Sequence, residues 1–292
     1  MSVIQALIKL CKTMQLKPLF AVLLLGASHS SHGIIIRHDV TPESYLASID
    51  EFPALATFYV DGAHGVLISP RWLLTAAHTT FCLEPGIEIA VGEQQVAVKQ
   101  LYIHPGHTPG VSHDIALVEL QSPITDIKPA KLYQEKSETG LIATLIGRGG
   151  TGNGKTGITT DNYANKGVLR KAQNQVERAD GPLLWFRFDS GDQALELEGI
   201  SGGGDSGGPA FITRDDEFWL LGVSSRYGGG PSEKYQSREV YSRVSYFVPW
   251  VNKVMSPAES TTRAHSLAKL KHYMPGLNAE TLPEICQQIR LQ

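Results

Sequence analysis

Between about residues 54 and 250 the chain alternates short apolar runs with clusters of Gly, Pro, Asp and Ser. Residues 54–60, 65–69, 87–91, 96–103, 115–120, 141–146, 183–188, 209–213, 219–224 and 240–244 are rich in β-branched and aromatic side chains, and Val96, Val98 and Leu101 alternate partly with polar neighbours. Many short strands with regular Gly/Pro turns predict the all-β class, a sandwich or a barrel. The mixed polar stretch near 121–140 is placed to join two halves, and there is no internal repeat. After Trp250 the pattern changes. Leu267, Leu270 and Met274 share one face at helical spacing. Thr281-Leu-Pro-Glu284 has the form of a capping box, followed by a stripe of Leu282, Ile285, Cys286 and Ile289. Residues 256–292 therefore read as a helical extension that docks on the body.

The first 33 residues have a different pattern again. Lys9, Lys12 and Lys17 precede the apolar run 19–25 and the small residues Gly26, Ala27 and Ser28, with no acid before Asp39. A basic region, a short apolar core and a small-residue exit are the marks of a cleavable secretory leader. The run is far short of the roughly 20 residues a membrane span needs, and no Cys follows it for lipid attachment. The expected product is exported, secreted or periplasmic, with no stable membrane anchor.

Composition sharpens this. The 292 residues carry 19% charged and 42% hydrophobic side chains, enough for a sizeable core, and a formal net charge of −3. Loss of the three leader lysines takes the charge to −6. With no basic run, nucleic acid is not an expected partner. Three cysteines become two when Cys11 leaves with the leader, so that Cys82 and Cys286 remain.

Three glycine-rich motifs compete for the chemistry. Residues 149–156 fit the phosphate-binding pattern GxxxxGK[ST], with Lys155 and Thr156 at its end, and residues 147–152 fit GxGxxG. Both need a helix to follow, and Gly157-Ile-Thr-Thr starts one poorly, so a flexible surface loop is expected. Residues 204–208 also fit the GxSxG elbow of α/β-hydrolases, but that fold needs a histidine after the serine in an alternating α/β chain. Only His265 and His272 follow Ser206, both in the tail.

Upstream the picture is better. A serine hydroxyl needs a base within reach and an acid to orient the base. His78 follows the apolar run Leu73-Leu-Thr-Ala-Ala, and Asp114 stands at the mouth of Ile115-Ala-Leu117. Four segments together, Trp72-Leu-Leu-Thr-Ala-Ala-His78, Asp114-Ile-Ala-Leu117, Gly204-Asp-Ser-Gly-Gly-Pro209 and Val240-Tyr-Ser-Arg-Val244 leading to Trp250, resemble the trypsin-like (chymotrypsin-fold) serine proteases over about residues 34–255. The resemblance implies two six-stranded antiparallel β-barrels, at about 34–125 and 126–255, with a helical C-terminal extension. It implies a serine endopeptidase using the triad His78, Asp114 and Ser206, acting on protein or peptide substrates with no metal or organic cofactor. It also implies an oxyanion hole from the amides of Gly204 and Ser206. In the family a new N-terminal amine pairs with the acid before the nucleophile, here Asp205. Cleavage after Gly33 would expose Ile34 for that role; the other reading makes 34–36 simply a first strand. A non-proteolytic binding module on the same fold is the alternative function.

The chain departs from the family in its pocket and its bridges. The position six before the nucleophile, acidic in trypsin, is Ile200, and Glu239 stands where a Gly is usual. Ser224-Ser225-Arg226-Tyr227 replaces the usual wall. Glu239 is then either an acceptor for a basic side chain or an obstruction, with Arg226 pairing to it or Tyr227 filling the space. Thr79 and Ala63 replace one expected cysteine pair, and Gly202 a member of another. Cys82 and Cys286 are expected to bridge and pin the tail across the first barrel, which the loop-entropy argument values at up to about 4–5 kcal/mol; two buried free thiols are the alternative. His104, His107 and His113 complete no zinc-type spacing and read as a strand-exit turn.

Overall fold

The structure, a computed structural model, describes residues 33–165, 167–257, 267, 269–273 and 277–291; the leader before Gly33, and Met274, lie outside them. After β1 (Ile34–Ile36) come β2 (Leu55–Tyr59), β3 (Gly62–Ser69), β4 (Trp72–Thr75), β5 (Glu88–Val91), β6 (Gln94–Ile103) and β7 (Ala116–Leu120). These six strands close in the order β2-β3-β4-β7-β6-β5, every pairing antiparallel. All residues of β4 and β7 are buried, as expected for apolar runs covered on both faces.

The second half of the chain carries β8 (Lys131–Leu132), β9 (Ile142–Gly147), β10 (Thr151–Asn153), β11 (Gly157–Thr160), β12 (Arg170–Asp180), β13 (Leu183–Arg187), β14 (Gly199–Ile200), β15 (Pro209–Arg214), β16 (Glu217–Gly229) and β17 (Arg238–Arg243). Strands β9, β12, β13, β17, β16 and β15 form an antiparallel ring that closes through β15–β16, with β8 added parallel to β16. The fold is thus all-β with two closed six-stranded barrels. One core cluster runs across both, joining Leu73 and Leu117 to Phe211, Val223 and the helix α1 (Val244–Met255) through Val244 and Phe247.

Three features differ from the sequence reading. First, β12 is absent from the periodicity because its inward positions are Arg170, Ala172, Asn174 and Val176, two of them polar. Asn174 is buried because its Nδ2 donates to the carbonyls of Arg187 (3.0 Å) and Gly199 (2.9 Å), satisfying backbone that would otherwise be orphaned. Secondly, residues 34–36 do not belong to the first barrel. β1 pairs parallel with β10 and antiparallel with β14 in a four-stranded sheet of order β11-β10-β1-β14. The Gly-rich segment 149–156 is therefore packed strand and turn rather than a flexible surface loop.

Thirdly, among the described residues of the tail the helix is α2 (Leu282–Ile289). Leu267 instead forms a β-bridge with Ile103, exchanging two main-chain hydrogen bonds on the side of β6 away from β7. Thr281 makes no side-chain cap; Asn278 Oδ1 accepts the N–H groups of Glu280 and Thr281. The tail crosses the first barrel as expected: Val60 N–H donates to Ile289 O at 2.9 Å, and Cys82 and Cys286 form a disulfide with Cα atoms 5.3 Å apart. Among the described residues no helix is long and apolar enough to cross a membrane.

Candidate active site

β4 delivers the chain into a 3₁₀ turn, Ala77–Cys82, with His78 second in it. The turn is fastened by threonine hydroxyls: Thr79 Oγ1 donates to Ala76 O at 2.8 Å and Thr80 Oγ1 to Ala77 O at 2.7 Å. Asp114 comes just before β7, after His113, whose φ of 55° turns the chain sharply. The two side chains meet. His78 Nδ1 lies 2.7 Å from Asp114 Oδ2, and the His78 main-chain N–H donates to Asp114 Oδ1 at 2.9 Å. The second barrel completes the acid's surroundings. Ser225 Oγ donates to Asp114 Oδ2 at 2.7 Å, and Ser242 Oγ donates to the Asp114 carbonyl at 2.7 Å. Burial opposes the charge on Asp114, yet His78 and these donors hold it at about 2. Burial likewise pushes the His78 imidazole down, and the Asp114 carboxylate more than offsets it, so the net shift is upward. With Asp114 accepting, the Nδ1 position carries the proton and Nε2 is left as the base.

The Ser206 loop is held by main chain on both sides. Ala63 N–H donates to Gly204 O (2.7 Å), His64 N–H to Ser206 O (2.8 Å) and Gly207 N–H to Ser224 O (2.8 Å). Asp205 N–H is committed to Gly202 O, whereas among the described residues no acceptor takes the N–H of Gly204 or Ser206. Gly204 has φ of 90°, a conformation a side chain would strain.

Asp205 is buried, 1% exposed, among amides: Gly149 N–H donates to Oδ1 at 2.6 Å, Gly202 N–H to Oδ2 at 2.8 Å and Ile34 N–H to Oδ2 at 3.2 Å. Burial pushes its carboxyl up to about 6 against those donors. The glycines of the 149–154 segment are there for closeness; a Cβ at Gly149 would stand 2.7 Å from Asp205 Cγ. His64, which no sequence motif singles out, is fully buried beside this group. Its Nδ1 donates to Ala56 O (3.2 Å), and its Nε2 accepts Arg148 N–H (3.1 Å) at 3.9 Å from Asp205 Oδ1. Burial takes it down to about 3, so it is neutral.

A cavity of about 120 Å³ opens beside Ser206, lined among others by Ile200, Ser225, Tyr227, Glu233 and Glu239. Ser201 N–H donates to Glu239 Oε2 at 2.9 Å, and burial pushes that carboxyl up to about 8. Arg226 does not pair with it: its guanidinium donates to Val111 O at 2.7 Å. Tyr227 does not fill the space either; it is 47% exposed and donates to Gly230 O. Both obstructed versions of the pocket are therefore corrected. The sequence missed Ser225 as a donor to Asp114, because a β-bulge between Ser224 and Arg226 decides which serine faces the acid. His104 and His113 join an aromatic cluster with Phe247, and among the described residues no group of three or more His, Cys, Asp or Glu is arranged to hold a metal.

A family model described as Trypsin matches residues 43–251. The chain belongs to the trypsin family. The strands of both barrels, the His78 turn and the Ser206 loop lie inside the matched span, which ends within α1, whereas β1 and the disulfide-bound tail flank it.

Proposed function

We propose that the chain is an exported serine endopeptidase with His78, Asp114 and Ser206 as its triad. The observation that carries the reading is the 2.7 Å hydrogen bond from His78 Nδ1 to Asp114 Oδ2, made beside Ser225, which also lines the Ser206 cavity. Ser206 attacks the scissile carbonyl while His78 Nε2 takes its proton and later returns it to the leaving amine. Asp114 fixes the tautomer and stabilises the imidazolium. The amides of Gly204 and Ser206 receive the oxyanion, each such donor contributing about 3–4 kcal/mol to the transition state. The acyl-enzyme is then hydrolysed by water through the same base.

Two finer readings accompany this. Leader removal after Gly33 frees the Ile34 amine, whose nitrogen already addresses Asp205 Oδ2; an ammonium there neutralises a carboxyl that burial otherwise keeps part-protonated. The pocket takes a basic side chain ahead of the cut, because its wall carries the Glu239 and Glu233 carboxyls while Arg226 turns away to Val111. The test is hydrolysis of peptides by the matured protein: Ser206→Ala, exported at the wild-type level, is expected to lose activity by a factor of about 10⁴ or more. Equal activity in that variant overturns the assignment.

A further inference from the structure

Asp114 has a second imidazole beside it. The His107 side chain is only 5% exposed, and its Nε2 lies 3.6 Å from Asp114 Oδ1. Among the described residues that buried nitrogen makes no hydrogen bond. The carboxylate offers about four lone-pair sites. Three are taken, by the His78 main-chain N–H, His78 Nδ1 and Ser225 Oγ. His107 stands at the fourth.

The surroundings fix its state. Burial lowers the His107 pKa; Asp114 pulls it up, while His78, the tail residue His272, and His113 push it down. His104 also faces it, and the Arg226 guanidinium feels Asp114 from the other barrel. With two or more potential cations already around one carboxylate, the neutral ring is favoured. A neutral imidazole has one N–H, and a lone pair aimed at a carboxylate oxygen would repel it, so the proton sits on Nε2.

We propose that His107 is a positioning residue of the triad, its Nε2–H directed at Asp114 Oδ1 to hold the carboxylate plane and to share its charge with His78. The proposal rests on the endopeptidase reading for its catalytic consequence, but not for its electrostatic one. Removing the donor leaves more of the carboxylate's charge to His78, so the imidazolium becomes more stable and titrates at higher pH. The carboxylate also loses one of its four restraints.

The experiment uses the full matured chain with His107→Phe and His107→Gln, the latter keeping an N–H at similar reach without a titrating ring. Two quantities are read: the NMR titration midpoint of His78, and the acid limb of the kcat/KM profile on a peptide substrate. His107→Phe is expected to raise both midpoints by about half a pH unit and to lower kcat/KM roughly three- to tenfold at the optimum; His107→Gln restores both. His107→Leu replaces the Phe variant if that one does not melt cooperatively. An unmoved His78 midpoint in the apolar variant, or a Gln variant that shifts as far as the apolar one, overturns the proposal. A wild-type chain that hydrolyses no peptide overturns the endopeptidase reading instead, and the NMR arm still judges His107.

Discussion

At the scale of residues, Asp114 is where the two barrels converge: His78 reaches it from the first, Ser225 and Ser242 from the second. Glu239 is the complementary case, a carboxyl pushed up to about 8 by burial with no such set of donors. Its ordinary value is 4.5, so the folded state holds the proton more tightly than the unfolded one. That contribution to stability is complete below pH 4.5 and is lost as pH rises through about 8. Glu239→Gln is expected to flatten the fall in denaturation midpoint across this window. A cation in the pocket reverses the effect by favouring the ionised form. Affinity for an arylamidinium probe should therefore rise with pH through 8 in the wild type and stay flat in Glu239→Gln. The same variant should lose tenfold or more in kcat/KM on Lys or Arg peptides, as expected for a charge-assisted contact of about 1.5–3 kcal/mol. The pocket and the proposed triad differ in how far the sequence reveals them. His78, Asp114 and Ser206 sit in short local patterns, whereas the direction of Arg226 and the choice of Ser225 over Ser224 follow from one bulge in β16.

At the scale of elements, legibility follows who satisfies the backbone. β4 and β7 announce themselves because all their positions are buried and all but Thr75 and Glu119 are apolar. β12 does not, since Asn174 is inward for the sake of two carbonyls that lie 13 and 25 positions away in sequence. Leu267 belongs to a helically spaced set, yet its own main chain pairs with Ile103; periodicity cannot see an unfilled edge. The tail's anchor is the disulfide, spanning 204 positions and ending on the same 3₁₀ turn that carries His78. Cys286→Ala should lower stability by about 2–4 kcal/mol in chemical denaturation under non-reducing conditions. The difference from wild type should vanish in reductant. A variant as stable as wild type without reductant would show that the bridge holds nothing.

At the scale of the whole molecule, β1 ties residues 34–36 to the interior. Ile34 is 1% exposed, β1 is paired on both sides by β10 and β14, and its first nitrogen meets Asp205 one residue before Ser206. The position of that strand depends on contacts more than 110 residues away in sequence, which explains why residues 34–36 were legible as a strand but not as part of the second half. N-terminal sequencing of the exported protein should begin at Ile34; a start at any other residue leaves Asp205 without the Ile34 amine and overturns the reading. On the proposed function the exported chain carries an activated serine at 206. Fluorophosphonate labelling of the exported protein, with the modified peptide mapped, reads that serine's reactivity. A single adduct on Ser206 that disappears in His78→Ala is expected; an unlabelled protein with Ile34 at its terminus, or an adduct on another residue, would mean that Ser206 is not the nucleophile.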